Sequence, residues 1–151
     1  MHRDVVILVA EDDPGHAGLI RKNLARAGIV NEIIMFSDGQ AILDFLFRTG
    51  NGPHRESKTG YVLLLDIRMP KVDGVKVLER IKADPELRKL PVVMITTTDD
   101  PREVARCHEL GCSSYITKPI DYDSFVNAVR QLGLFLAVVQ VPTINGDEEA
   151  E

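Results

Sequence analysis

Val5-Val6-Ile7-Leu8-Val9-Ala10-Glu11-Asp12-Asp13-Pro14 decides the fold. A continuous apolar run rich in β-branched residues reads as a strand buried on both faces, because a strand with one wet face alternates instead. The run breaks on three acids and a proline. Asp13 before Pro14 is the pattern of a helix N-cap and first helical position. Ala17, Ile20, Leu24 and Ala27 then recur at three- and four-residue spacing, and Gly28 closes the helix. A buried strand feeding an amphipathic helix is the first half of a βαβ unit.

The alternation repeats down the chain. Ile33-Ile34-Met35-Phe36 is a second strand, and Ser37-Asp38-Gly39-Gln40 has the spacing of a capping box ahead of Ala41, Ile42, Phe45 and Leu46. Residues 49–60 lack periodicity and form the long loop. Tyr61-Val62-Leu63-Leu64-Leu65 is a third strand ending on Asp66, and Met69-Pro70 turns the chain into a helix from about Gly74 to Ala83, with Val77, Leu78 and Ile81 inward. Val92-Val93-Met94-Ile95 is a fourth strand ending in Thr96-Thr97-Thr98. Asp100-Pro101 caps a helix that Gly111 ends. Ser114-Tyr115-Ile116-Thr117 is a fifth strand, and a last helix starts near Asp121 and carries Phe125, Val129 and Leu132. Such alternation implies parallel pairing through right-handed crossovers. Five units suit an α/β fold with a doubly wound, flavodoxin-like parallel sheet, strand order 2-1-3-4-5 and helices on both faces.

With 151 residues, 44% hydrophobic and 27% charged, the composition is that of a globular chain. No apolar run reaches the ~18–20 residues of a membrane span. Met1-His2-Arg3-Asp4 leads into no cleavable signal pattern, so a cytoplasmic location is expected. The net charge is −5, and four negatives (Asp147, Glu148, Glu149, Glu151) crowd the last five residues, leaving a nearly neutral body. Without a basic stripe, nucleic acid is not an expected partner. Cys107 and Cys112 lack a second pair for zinc and read as buried or half-buried thiols.

Ligands of open α/β sheets bind beyond the carboxyl ends of the strands. Those ends carry Glu11, Asp12 and Asp13, then Asp66, Thr96 and Lys118. Clustered carboxylates repel unless a positive group sits among them. Mg²⁺ suits the set, because it is content with one or two carboxylates plus waters and phosphate oxygens. A carboxylate can then act as nucleophile toward phosphorus, with Thr96 and Lys118 on the phosphoryl oxygens.

The segments Ile7 to Pro14, Leu64-Leu65-Asp66-Ile67-Arg68-Met69-Pro70 with Asp73-Gly74, Leu90 to Thr96, and Gly111 to Pro119 together resemble the receiver domain of two-component response regulators, over about residues 5–133. Thr98-Asp99-Asp100-Pro101-Arg102-Glu103 and Arg130-Gln131-Leu132-Gly133-Leu134-Phe135 are also similar to the regulators paired with bacterial phytochrome kinases. The resemblance implies that Asp66 accepts a phosphoryl group from a sensor histidine kinase. It implies that Glu11, Asp12, Asp66 and the backbone carbonyl of Arg68 surround Mg²⁺, and that Thr96 and Tyr115 form the switch. It also implies a cis peptide at Lys118-Pro119. Arg68 and Thr98 fall at the two variable positions flanking the phosphoryl group. Arg68 is expected to screen the phosphate and slow its hydrolysis; the plain alternative is an Arg68 that points into solvent.

The expected organisation is a receiver domain over 1–133, an apolar extension of the last helix over 134–142, and an acidic, disordered tail over 143–151. Eight of the ten residues from Leu132 to Val141 are apolar; the segment either folds back on the body or, the favoured reading, is a partner surface, which suggests a homodimer through the fourth helix, fifth strand, fifth helix and extension. His16, in the first helical turn near the acids, could approach the phosphate but is read as facing solvent, and no histidine is assigned to catalysis or metal. The expected role is a phosphoacceptor signalling protein, not a turnover enzyme. Two other readings stand beside it. One is a receiver-like scaffold independent of phosphorylation. The other is a Mg²⁺-dependent aspartyl-phosphate phosphatase, which is disfavoured because a second acid is wanted where Arg68 stands. A dinucleotide site would need glycines where Glu11-Asp12-Asp13 lie.

Overall fold

The computed structural model describes residues 5–26, 28–97, 99–118, 123, 127 and 143–144. Strands β1 (Val6–Ala10), β2 (Ile33–Phe36), β3 (Thr59–Leu65), β4 (Val92–Thr96) and β5 (Ser114–Thr117) alternate with helices α1 (Pro14–Arg26), α2 (Gly39–Phe47), α3 (Gly74–Ala83) and α4 (Pro101–Leu110). The five strands pair in parallel in the order β2-β1-β3-β4-β5. This is the doubly wound order that the strand–helix alternation predicts.

The continuous apolar runs arise because both sheet faces are covered. Successive strand side chains point to opposite faces. Ile7, Val9, Val62, Leu64, Val93 and Ile95 pack with Ile20 and Leu24 of α1. Leu8, Ala10, Leu63, Leu65, Val92 and Met94 pack with Ile42 and Leu46 of α2, Val77, Leu78 and Ile81 of α3, and Cys107 of α4. Each fully buried aliphatic side chain contributes roughly 1.5–3 kcal/mol. Among the described residues no helix is long and apolar enough to cross a membrane.

Helix ends follow local chemistry. Asp13 Oδ1 accepts from the N–H groups of Gly15 at 2.8 Å and His16 at 3.1 Å, which fixes the start of α1. Asp73 caps α3 through the Lys76 N–H, and Asp100 caps α4 through the Arg102 N–H. At α2 the cap is Asp38, which accepts from the Ala41 N–H at 2.8 Å. The capping-box spacing from Ser37 is therefore off by one residue, and Gln40 turns forward instead, donating to Asp44 Oδ1 at 2.9 Å.

The third strand begins two residues earlier than its apolar run, at Thr59. A short strand β6 (Thr143–Ile144) pairs antiparallel with it, Thr59 opposite Ile144 and Gly60 opposite Thr143. Ile144 is fully buried. This departs from the expectation of disorder from residue 143 onward: an isoleucine next to the apolar floor of β3 gains burial that the acids after it cannot. The rest of the acidic tail and the 134–142 extension lie outside the described residues. So do Thr98, Pro119 of the expected cis peptide, and the closing helix apart from Asp123 and Asn127.

Candidate functional site

Three ladders run one residue past their strands and set the site. The Glu11 N–H donates to Phe36 O at 2.9 Å, the Asp66 N–H to Ala10 O at 3.1 Å, and the Lys118 N–H to Thr96 O at 2.6 Å. Glu11, Asp66, Thr96 and Lys118 are therefore held at one end of the sheet by backbone bonds, and all four are buried. Asp12 lies beside them, exposed.

Lys118 Nζ joins the acids, pairing tightly with Glu11 Oε1 and lying 3.1 Å from Asp66 Oδ2. Asp66 Oδ1 accepts from the Ile67 N–H at 2.7 Å, so both oxygens of this carboxylate are held and its rotamer is fixed. Glu11 Oε2 accepts from the Asp13 N–H at 3.1 Å. Burial pushes the Glu11 carboxyl up to about 7; the Lys118 hydrogen bond opposes this and the Asp66 charge adds to it.

Glu11, Asp12 and Asp66 each offer an oxygen, and these atoms lie within 4.8 Å of one another. Among the described residues these three carboxyl groups meet a single ammonium, that of Lys118, so the group is rich in acids. An all-oxygen donor set with one exposed member fits a hard divalent cation that keeps part of its water. The chemistry of the donors therefore agrees with Mg²⁺.

Thr96 ends β4 and is fully buried. Tyr115 in β5 is half-buried, with its ring 6.2 Å from the His108 ring of α4. Burial pushes the Tyr115 phenol up to about 12, with Cys107, Glu103 and Asp66 adding to it. Arg68 is not folded over Asp66: its Nη2 lies 3.1 Å from Glu103 Oε1 of α4, and its side chain is exposed. Neither simple expectation for Arg68 anticipates this partner.

Sequence reasoning favours a solvent-facing His16, and the structure instead leans its ring against the site. Its Nδ1 lies 3.0 Å from Lys118 Nζ and 4.0 Å from Glu11 Oε2. The signal available was its place three residues after Asp13, on the first turn of a helix whose N-terminus borders the acids. Its lysine partner comes from the far end of the sequence.

Comparison with known proteins agrees with this fold. The family model of the response regulator receiver domain matches residues 7–130. A response regulator receiver domain from Rhodospirillum rubrum is 48% identical, with a TM-score of 0.87 over 93% of this chain and 99% of that one. Response regulator Rcp1 of Synechocystis is 33% identical over 91% of this chain and 92% of its own. The Mn²⁺-bound form of Rcp1 superposes with a TM-score of 0.81, covering 91% of this chain and 98% of that one. The phosphorylated cyanobacterial phytochrome response regulator RcpA is 28% identical, with a TM-score of 0.81, over 94% of this chain and 99% of that one.

Proposed function

The chain belongs to the response regulator receiver domain family, and from that premise we propose that it accepts a phosphoryl group on Asp66 from a sensor histidine kinase in a Mg²⁺-dependent reaction. The observation that carries this reading is the buried Asp66 carboxylate, fixed by the Ile67 N–H and Lys118 and grouped with Glu11 and Asp12. Transfer forms a bond from an Asp66 oxygen to phosphorus and breaks the nitrogen–phosphorus bond of a phosphohistidine. The leaving imidazole keeps the electron pair and takes a proton from solvent. Glu11, Asp12, Asp66 and the Arg68 carbonyl would hold Mg²⁺, which when bound supplies positive charge against the phosphoryl oxygens. Lys118 turns its ammonium onto one oxygen, and Thr96 donates its hydroxyl to another.

Signal leaves through α4 and β5. Thr96 moves toward the phosphoryl group, and Tyr115 turns inward from its half-buried place beside His108. This is a population shift between two packings. Arg68 exchanges Glu103 for the phosphoryl group, screens it from water and frees α4. The likeness to a phytochrome response regulator supports a phytochrome-type kinase as donor, and the reading places the exchange in the cytoplasm. The apolar 134–142 segment, with α4, β5 and the closing helix, favours a homodimer; light scattering that gives a monomer at high concentration would remove that part.

The test is intact mass after incubation with acetyl phosphate and Mg²⁺. One added phosphoryl group in wild type, lost in Asp66→Asn and with chelator, supports the reading. No gain by either acetyl phosphate or a panel of histidine kinases would shift it to a phosphorylation-independent scaffold.

A further inference from the structure

The His16 ring is placed by the helix cap, not by the site. Its backbone N–H is held by Asp13 Oδ1 at 3.1 Å, and from there the ring leans over the acids. Nδ1 is 3.0 Å from Lys118 Nζ, and it lies 3.9 Å from Asp13 Oδ2 and 4.0 Å from Glu11 Oε2. The His16 side chain is 41% exposed, whereas that of Lys118 is 3% exposed. The ring therefore stands at the boundary between the ammonium and solvent.

An ammonium donates and cannot accept. At the Lys118 contact Nδ1 is thus placed to accept. The three N–H groups of Lys118 then have three acceptors: Glu11 Oε1, Asp66 Oδ2 and His16 Nδ1. Two are carboxylate oxygens and one is an uncharged nitrogen. Attraction between opposite charges adds to a bond from an ammonium to a carboxylate and not to one with an uncharged nitrogen. The bond to His16 is the one the ammonium gives up first when an anionic oxygen arrives.

We propose that His16 is a positioning residue for phosphoryl transfer: it keeps one N–H of Lys118 dry and aimed, and yields it to the incoming phosphoryl oxygen. The proposal rests on the reading of Asp66 as the acceptor. In His16→Ala, water replaces the ring, so the ammonium is exposed and must shed that water before it meets the phosphoryl group. In His16→Asn, the side-chain carbonyl returns an uncharged acceptor near the place of Nδ1.

Two readouts test this. The first is acetylation of Lys118 in the metal-free, unphosphorylated chain by an N-hydroxysuccinimide ester, located by peptide mass. The second is the rate of phosphorylation by acetyl phosphate with Mg²⁺. His16→Ala is expected to raise Lys118 acetylation and to slow phosphorylation about fivefold, the scale of one partly exposed hydrogen bond to a charged group. His16→Asn is expected to return both toward wild type, which a merely structural role would not do. Lys118 acetylation unchanged in His16→Ala, a phosphorylation rate unchanged in it, or an asparagine variant as impaired as the alanine one, each overturns the proposal. A wild-type chain that takes no phosphoryl group defeats the acceptor reading itself, and the proposal with it. Wild-type phosphorylation with unaltered variants defeats the His16 role alone.

Discussion

Glu11 is pulled two ways. Burial and the Asp66 charge favour its neutral form, and Lys118 favours its anion; burial prevails and lifts the carboxyl from its ordinary 4.5 to about 7. An acid with a higher value folded than unfolded stabilises the fold most where it is protonated, below the ordinary value. That contribution is lost as pH rises through the folded value. Metal-free protein should therefore lose this part of its stability between about pH 4.5 and 7. The Glu11→Gln variant should lack that slope in thermal melts, and a wild-type slope no steeper than the variant's would contradict the argument. Mg²⁺ should raise the melting temperature more at pH 8 than at pH 5, because it takes the anion. A second residue-scale expectation concerns the thiols. Cys107 is fully buried and pushed up to about 11 by burial, with Cys112 and Glu103 adding. Cys112 is only half-buried. Iodoacetamide at pH 8 should alkylate Cys112 in the native chain and reach Cys107 only on unfolding, as peptide mass mapping would show. Comparable rates at both would mean that α4 opens far more readily than its packing implies.

At the scale of elements, α3 is seated directly against the turn that follows Asp66. The Gly74 N–H donates to Ile67 O at 2.7 Å, and a Cβ on Gly74 would collide with the Asp66 carbonyl oxygen and the Ile67 backbone. Backbone cannot step aside as a flexible side chain can. Gly74→Ala should cost about 1–3 kcal/mol and slow phosphorylation by shifting Asp66. Gly18, inside α1, has open space where a Cβ would go. Gly18→Ala should stabilise by roughly 0.5–1 kcal/mol through helix propensity. Opposite shifts in urea midpoint check both, and a neutral Gly74→Ala would refute the close seating. These elements were legible because their causes are local. Runs such as Val62 to Leu65 announce strands buried on both faces, and Asp13-Pro14, Asp73-Gly74 and Asp100-Pro101 announce helix starts. The contacts of His16 with Lys118 and of Arg68 with Glu103 were not legible. They join segments 102 and 35 residues apart, and nothing in either short segment encodes the other.

Across the whole molecule, the sheet separates chemistry from anchorage. Glu11, Asp66, Thr96 and Lys118 gather at the carboxyl ends of the strands, a placement readable once the strands are parallel. At the opposite end of β3, Ile144 is fully buried, and the Arg55 guanidinium bridges Leu46 O at 2.8 Å and Ile144 O at 3.5 Å. A two-residue strand just ahead of an acidic tail has no periodicity to read, so this anchor escaped the sequence. The seven residues of β3 place roughly 20 Å between the two ends at ~3.3 Å per residue. Ile144 pairs with Thr59 at the start of β3, whereas Asp66 follows its end, and distant sites contribute additively. Ile144→Ala should therefore cost about 2–4 kcal/mol, the usual loss for a buried isoleucine, while the rate of Asp66 phosphorylation by acetyl phosphate stays that of wild type. Urea denaturation and intact-mass kinetics on the same preparation measure the two effects. A variant of unchanged stability would mean that β6 does not hold in solution. A stability loss with an equal loss of phosphorylation rate would mean that the two ends of the sheet are coupled, through β3 itself.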